Sequence, residues 1–268
     1  MITYAGFLAA ALLPWLALLL ALHAWDRVRR RGLPASMQGI SPGWTLLAHV
    51  AVAVIYTTPW DNYLVATGVW TYTEGLVAGI TLGWVPLEEY LFFVVQSLVT
   101  GLFVIWLARR VDCRPALTPP RSGTRAALLA SMSLLWLLAA VSLATPLQPT
   151  RYLALQLVWA LPPIALQVAF GLGSILSRWR LAALGILAPT AYLALADTVP
   201  LGAGTWSIAP SQSLGWLILG PLPIEELTFF LLTNSLLVLG MILFMAAESP
   251  PRARALASRM RELLRRPA

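Results

Sequence analysis

Seven stretches of mostly apolar residues recur along this chain, at roughly 3–25, 43–59, 84–108, 124–145, 151–176, 181–197 and 214–247. A crossing of the hydrocarbon layer takes ~20 such residues. Within that layer every backbone N–H and C=O must be satisfied inside the protein, which leaves helices as the form for isolated apolar segments. The pattern predicts an all-α integral membrane protein with seven transmembrane helices. The last stretch is too long for one straight crossing, so its first residues predict a re-entrant or interfacial piece ending near Pro221 and Pro223. Residues 74–84, "EGLVAGITLGW", form the matching glycine-rich approach in the first half. The N-terminal run over 5–25 carries no basic leader and no small-residue cleavage site, and reads as a retained helix.

Composition narrows the function. Only 11% of the 268 residues are charged, against ~25% in a typical soluble domain. All 18 basic residues are arginine. Without lysine, a retinal Schiff base and a lysine nucleophile are both excluded. The net charge of +7 is spread over the loops between spans and is not a nucleic-acid footprint. Cys113 is the single cysteine, so no disulfide framework exists, and with no histidine near it the thiol reads as an incidental loop residue.

The arginines set the orientation. Four lie in 26–42, five in 109–125, two in 177–180 and six in the C-terminal tail, leaving only Arg151 for the other side. Seven spans with the N-terminus outside and the C-terminus in the cytoplasm satisfy this asymmetry, whereas an even number does not. The tail over 252–266 reads as a solvated or headgroup-facing amphipathic segment.

An internal match divides the chain. A shift of 136 or 137 residues pairs Asp61 with Asp197, Trp70 with Trp206, Gly83 with Gly220 and Pro86 with Pro223. It also superposes "PLEEYLFF" (86–93) on "PIEELTFF" (223–230), glutamates on glutamates and Phe92-Phe93 on Phe229-Phe230. The expected organisation is a first three-span repeat over 1–109, a loop and connector helix over 110–149, a second three-span repeat over 150–247 and a basic tail over 248–268. One connecting helix makes the repeats parallel, with both motifs at the same depth near the outer face.

Glu88, Glu89, Glu225 and Glu226 are the costly residues. An anion at mid-bilayer costs about 2.5–3.5 kcal/mol on insertion scales, so the four must face a protein interior. Low-dielectric surroundings favour a neutral carboxylic acid, which is what an acid catalyst requires. Neighbours on a helix point about 100° apart, so the members of a pair take different roles. Glu88 aligns with Phe92 and Gln96, and Glu225 with Phe229 and Thr233, which ranks Glu88 and Glu225 above Glu89 and Glu226 as the chemical pair. Acids one turn after a proline also cap a helix start and complement its dipole; the two roles are compatible.

The other polar and aromatic residues have plainer readings. Phe92, Phe93, Phe229 and Phe230 either pack or offer π faces to a cation. Trp60, Trp70, Trp84, Trp206 and Trp216 read as an interfacial belt. Asp61 and Asp197 read as anchors at outer helix ends, with a proton relay as the second option. His23 and His49 lack metal-ligand spacing and read as packed. "GLGS" at 171–174 is no dinucleotide fingerprint, because no strand precedes it.

The paired motifs, each at the head of a membrane helix behind a Trp-bearing loop, resemble those of the small membrane lycopene cyclases. The resemblance covers about residues 1–247, as a tandem of the two bacterial subunit types, similar also to fused archaeal enzymes and to a domain of bifunctional fungal ones. It implies a linear carotenoid substrate with a ψ end group, such as lycopene, held within the bilayer. It implies that Glu88, Glu89, Glu225 and Glu226 are the functional carboxylates. No nucleotide fold is evident, so no flavin or other cofactor and no metal is expected. Membrane lipid is the surrounding partner, and association with other carotenoid-pathway enzymes is compatible with the substrate. Ring closure is a non-redox isomerisation: protonation of the terminal double bond, attack on the tertiary cation by the next double bond, and loss of a proton. A dry apolar core keeps water from trapping the cation. Ring type and the choice between one composite site and two separate ones stay open. Two other classes compete: a small-solute transporter with parallel repeats, and a membrane protein that binds carotenoid without converting it.

Overall fold

The computed structural model describes residues 2–116 and 122–264. Its seven long apolar helices are α1 (Tyr4–Val28), α2 (Pro42–Ala66), α3 (Leu87–Ala108), α4 (Ser122–Leu143), α5 (Arg151–Ser177), α6 (Trp179–Ala203) and α7 (Ile224–Met245), and each is long and apolar enough to cross a membrane. An exposed helix, α8 (Ser249–Leu264), follows them and carries the basic tail. Arg121, Arg265 and Arg266 of the arginine asymmetry lie outside the described residues.

Two helices run further than the apolar pattern predicts. The stretches over 43–59 and 181–197 stop near Pro59 and Pro200, yet both prolines sit inside longer helices. Proline is tolerated within a membrane helix because the surrounding protein can re-satisfy the freed backbone groups. The extra turns leave Asp61 and Asp197 inside their helices, and both are buried.

The long final stretch is likewise divided, but by a hairpin. Strands β2 (Thr81–Leu82) and β3 (Val85–Pro86) pair antiparallel ahead of α3, and β5 (Leu217–Ile218) and β6 (Leu222–Pro223) pair antiparallel ahead of α7. Gly83 and Gly220 turn these hairpins at φ +69° and +83°, a region glycine enters without steric cost. The second turn holds one residue more, since Thr81 faces Pro86 whereas Leu217 faces Pro223. That added residue accounts for the change of shift from 136 to 137 between Trp70/Trp206 and Gly83/Gly220. Pro86 and Pro223 then start α3 and α7 with nearly the same extended backbone, φ −60° and −65° with ψ 147° in both.

A third ribbon joins the halves. Strand β1 (Trp70–Tyr72) pairs antiparallel with β4 (Trp206–Ile208), and Thr71 lies opposite Ser207, its own counterpart at a shift of 136. Helices α3 and α7 form the buried centre, while α4 packs at the periphery against α5, where Trp136 Nε1 donates to the Val158 carbonyl. Between α3, α6 and α7, the Gln96 amide and the Thr100 hydroxyl each donate to Asn234 Oδ1 at 3.0 Å, and Asn234 Nδ2 donates to Thr190 Oγ1. This closes a buried polar knot whose members would cost more unpaired.

At the opposite end from the hairpins, Asp26 binds Arg109 and Arg110, and Glu248 binds Arg178. His23 Nε2 lies 2.9 Å from the Leu102 carbonyl and its Nδ1 3.1 Å from Arg109. Cys113 is buried, and its thiol points at the Ala108 carbonyl.

Candidate active site

The 100° between adjacent helix positions separates each glutamate pair. Glu88 turns back toward the chain before the hairpin, where its Oε1 accepts from the Ala78 N–H at 2.6 Å. Glu225 does the same: its Oε1 accepts from the Leu214 N–H at 2.6 Å and from the Ser213 hydroxyl at 3.1 Å. Ala78 and Leu214 are 136 residues apart. The first glutamate of each motif therefore bonds its own loop through Oε1, while its Oε2 is buried with no hydrogen-bond partner among the described residues.

Glu89 and Glu226 point inward, into one small cavity of about 30 Å³ that also touches Asp197. The cavity is otherwise aromatic. Phe92 from α3, Phe229 and Phe230 from α7, and Trp70 and Trp206 from the joining ribbon line it, with Tyr4 and Phe7 from α1. Phe93 is buried nearby but faces a neighbouring groove instead.

Phenols hold the two inward carboxylates. Tyr4 Oη donates to Glu89 Oε2 at 2.5 Å, and Tyr72 Oη donates to the same oxygen at 2.9 Å. Glu226 Oε1 receives one such bond, from Tyr152 at 2.5 Å. Burial first, and then the neighbouring Glu89 charge, push the Tyr72 phenol well above its ordinary value, so it stays a donor.

Asp61 and Asp197 belong to this interior and not to the surface. Asp197 is buried and accepts from Trp206 Nε1 at 3.2 Å. Asp61 is fully buried, and neither of its oxygens has a partner. The tryptophans divide in the same way. Trp84 and Trp216 are each 68% exposed and fit an interfacial belt, but Trp60 and Trp70 are buried. Trp60 stacks on Phe229 with centroids 5.8 Å apart, and Trp70 meets the same ring edge-on at 5.7 Å. Aromatic pairs of this kind contribute about 0.5–1.5 kcal/mol beyond their burial. They fix the ring that faces the carboxylates.

Sequence reasoning missed the tyrosines. Tyr4 and Tyr152 sit in the first turns of α1 and α5 and make equivalent bonds, yet they are 148 residues apart and fall outside the 136–137 shift. Loops between spans vary in length, so a fixed shift loses the register; a search for one aromatic donor at the head of each span would have found both. A small cavity lined by three carboxylates, phenol donors and π faces can give up a proton, take one back and stabilise a cation between the two events.

Comparison with known proteins fits this chemistry. The chain is 38% identical over 244 residues to a lycopene beta-cyclase of Halobacterium salinarum, covering 90% of the chain and 95% of that protein. It is 38% identical over 202 residues to a bifunctional lycopene cyclase/phytoene synthase of Podospora anserina, covering 73% of the chain and 34% of the fungal protein. A Gibberella fujikuroi protein of the same description matches at 36% over 197 residues, 72% of the chain and 33% of the relative. No protein-family model and no solved structure matches. With an archaeal relative matched across nearly its whole length and seven helices fit to cross a bilayer, this multi-pass membrane protein belongs to the lycopene cyclase family.

Proposed function

We propose that the chain closes the ψ end groups of lycopene, or of a related linear carotenoid, into six-membered β-type rings at one composite site. The observation that carries this reading is that Glu89 and Glu226, one from each motif, open into the same aromatic cavity. Glu226 is the proton donor. Its proton adds to the terminal double bond of the substrate and leaves a tertiary cation. The next double bond supplies the electron pair that closes the ring, and the cation moves onto the ring. Glu89 then takes a ring proton, and that C–H pair becomes the new double bond. No electrons are gained or lost overall. The proton returns from Glu89 to Glu226, and Asp197, lining the same cavity, offers a third carboxylate for the transfer.

The donor and acceptor roles follow from the phenols. Two donors on one Glu89 oxygen favour its carboxylate form, since hydrogen bonding to a charged form stabilises it. Glu226, with one phenol, keeps its proton more readily. Phe92, Phe229 and Phe230, joined by Trp70 and Trp206, provide the π faces for the cation. Glu88 and Glu225 hold the loops. The β-type assignment rests on the name of the archaeal relatives.

The chain organisation at 1–109, 110–149, 150–247 and 248–268, as two parallel three-span units and a connector, supports a site built from both halves. The arginine-bearing ends of the helices are assigned to the cytoplasm and the hairpins to the outside. The transporter reading is not favoured, because the relatives are named as cyclases. The deciding experiment is expression in a lycopene-accumulating bacterium. Ring-bearing carotenoid with the native chain, and none with Glu226→Gln at equal accumulation in the membrane, supports the reading. Unchanged lycopene with the native chain rejects it.

A further inference from the structure

Beside the carboxylate cavity lies a much larger groove of about 490 Å³, formed by one face each of α2, α3, α5 and α7. Its size falls within the ~300–1,000 Å³ of small-molecule sites. The α5 side illustrates the helical face: Trp159, Pro163, Leu166, Gln167 and Phe170 follow one another at steps of four, three, one and three. Phe92 and Phe229 line both this groove and the carboxylate cavity. A second groove, of about 360 Å³ between α1, α3 and α6, shares no lining residue with that cavity.

We infer that the groove between α2, α3, α5 and α7 is the binding site for the polyene chain of the substrate, with the reacting end inserted past Phe92 and Phe229 and the remainder lying along α7 toward Phe244. This rests on the cyclase reading above and adds where the long hydrocarbon goes. Three features support it. The groove is long: Phe229 and Phe244 are 15 residues apart on one helix, or about 22 Å at ~1.5 Å per residue.

Beside it stands a ladder of near-parallel rings, of which Tyr56, Trp159 and Phe229 line the groove and Trp60 bridges Trp159 and Phe229. Tyr56 stacks on Trp159 at 5.7 Å, Trp159 on Trp60 at 4.7 Å, and Trp60 on Phe229 at 5.8 Å, with interplanar angles of 22°, 19° and 10°. Tyr56 Oη and Trp60 Nε1 are each tied to a backbone carbonyl of α5, which fixes the ladder. A flat, rigid conjugated chain loses little conformational entropy on entering such a slot.

Three of the polar side chains in the groove turn to backbone carbonyls of the protein itself. His49 Nδ1 faces the Thr45 carbonyl at 2.7 Å, Gln167 Nε2 donates to the Leu236 carbonyl at 2.9 Å, and Thr233 Oγ1 donates to the Phe229 carbonyl at 2.9 Å. Trp159 Nε1 and Gln167 Oε1 are its buried polar atoms without a partner. The occupant that such a lining accepts is a hydrocarbon.

The test places bulk in one groove or the other. Ala53 lines the groove assigned to the polyene, and Ala188 lines the second groove. In membranes, Ala53→Trp should reduce lycopene conversion at least tenfold while a short apocarotenoid with the same ψ end is still cyclised. Ala188→Trp should leave both conversions unchanged. Retained conversion of the short substrate also shows that the Ala53 variant is folded. Should Ala53→Trp fail to accumulate, cysteine protection decides: in the Glu226→Gln background, lycopene should slow labelling of Ala53→Cys by a membrane-permeant thiol reagent and not that of Ala188→Cys. Full lycopene conversion by Ala53→Trp, a loss confined to Ala188→Trp, or protection at position 53 that does not depend on lycopene (a lipid acyl chain as occupant) each overturns the assignment. Failure of the cyclase reading itself has a different signature: the native chain would cyclise neither lycopene nor the short substrate.

Discussion

Glu89 and Glu226 come from the same eight-residue motif, start their helices in the same way and face the same cavity, yet their surroundings differ. Glu89 has two phenols on one oxygen, from Tyr4 and Tyr72. Glu226 has the single phenol of Tyr152. At a shift of 136, the residue corresponding to Tyr72 is Ile208, which has no donor to offer. The aspartates diverge as well: Asp197 receives the Trp206 indole, whereas Asp61 is buried with no hydrogen-bond partner among the described residues. The two matching motifs supply two carboxylates to one cavity, and under the proposed reaction the differing donors around them suit one to give a proton and the other to take it.

The largest effects should come from the carboxylates. General acid–base groups contribute about 10²–10⁴-fold, so Glu89→Gln and Glu226→Gln should each lose that much ring formation while accumulating normally. Deuterated water separates their roles. Without its acceptor, the Glu89→Gln protein should still add a deuteron to lycopene and lose it again, leaving label in unreacted substrate. The Glu226→Gln protein should leave lycopene unlabelled. Label appearing with Glu226→Gln and not with Glu89→Gln would reverse the donor and acceptor.

Next come the phenols. A hydrogen bond to a charged group contributes about 1.5–3 kcal/mol, which corresponds to roughly tenfold to a hundredfold in rate. Tyr72→Phe should remove one of two donors on the acceptor Glu89, which then holds a proton more tightly, and move the acid-side limb of conversion to higher pH; Tyr4→Phe should act in the same direction. Tyr152→Phe withdraws the only phenol from Glu226, so its pH profile should move differently from those two. Identical profiles for all three variants would show that the phenols only pack, and the comparison of the two halves would lose its chemical meaning.

Below these lie the loop-holding glutamates. Glu88→Gln and Glu225→Gln keep an acceptor for the Ala78 and Leu214 N–H groups, so conversion should fall less than tenfold. Glu88→Ala and Glu225→Ala leave those N–H groups unmatched and should lower the thermal stability of the purified protein, by a margin set by ~1–3 kcal/mol for an orphaned buried donor. A hundredfold loss in either Gln variant, with stability unchanged, would return Glu88 or Glu225 to the reacting centre.

How much of this was readable beforehand follows from the reach of each signal. The seven helices were legible because hydrocarbon forces an unbroken apolar run on each one. The four glutamates and the phenylalanines were legible because residues of that type are costly or distinctive and recur together. Which glutamate faces inward was not, because that depends on N–H donors at Ala78 and Leu214, about ten residues upstream and folded back by a hairpin. Trp60 and Trp70 read as part of an interfacial belt with Trp84 and Trp216, but Trp60 lies within α2 and Trp70 on the β1–β4 ribbon, and both are buried against Phe229. Asp61 and Asp197 lie where the apolar stretches stop and so read as outer anchors; their helices run on to Ala66 and Ala203, and both side chains are buried.

The smallest predicted effect concerns the far ends of the two central helices, where the halves use opposite charges. The segment after α3 offers Arg109 and Arg110 to Asp26, whereas the segment after α7 offers Glu248 to the fully buried Arg178. Burial alone would raise Glu248, but hydrogen bonds from Arg178 and Ser174 overcome it and hold its carboxyl at about 2, below the ordinary 4.5. A folded value below the unfolded one means that the stabilisation is fully present above pH 4.5 and is lost as pH falls from there toward 2. Glu248 keeps 22% of its side chain exposed, so the contribution is on the order of 1 kcal/mol or less after screening. Thermal unfolding of detergent-purified protein should therefore fall more steeply between pH 5 and 3, on the order of a degree or two, in the native chain than in Glu248→Gln. Arg178→Met should remove the same increment at neutral pH together with the 2.8 Å bond from Arg178 to the Ser36 carbonyl, which keeps its bond from the Ala247 N–H. Parallel acid curves for the native chain and Glu248→Gln would mean that the Arg178–Glu248 pair adds nothing, and that α7 is held at this end by the backbone bonds from Gly39 and Ile40 to the Met245 and Phe244 carbonyls.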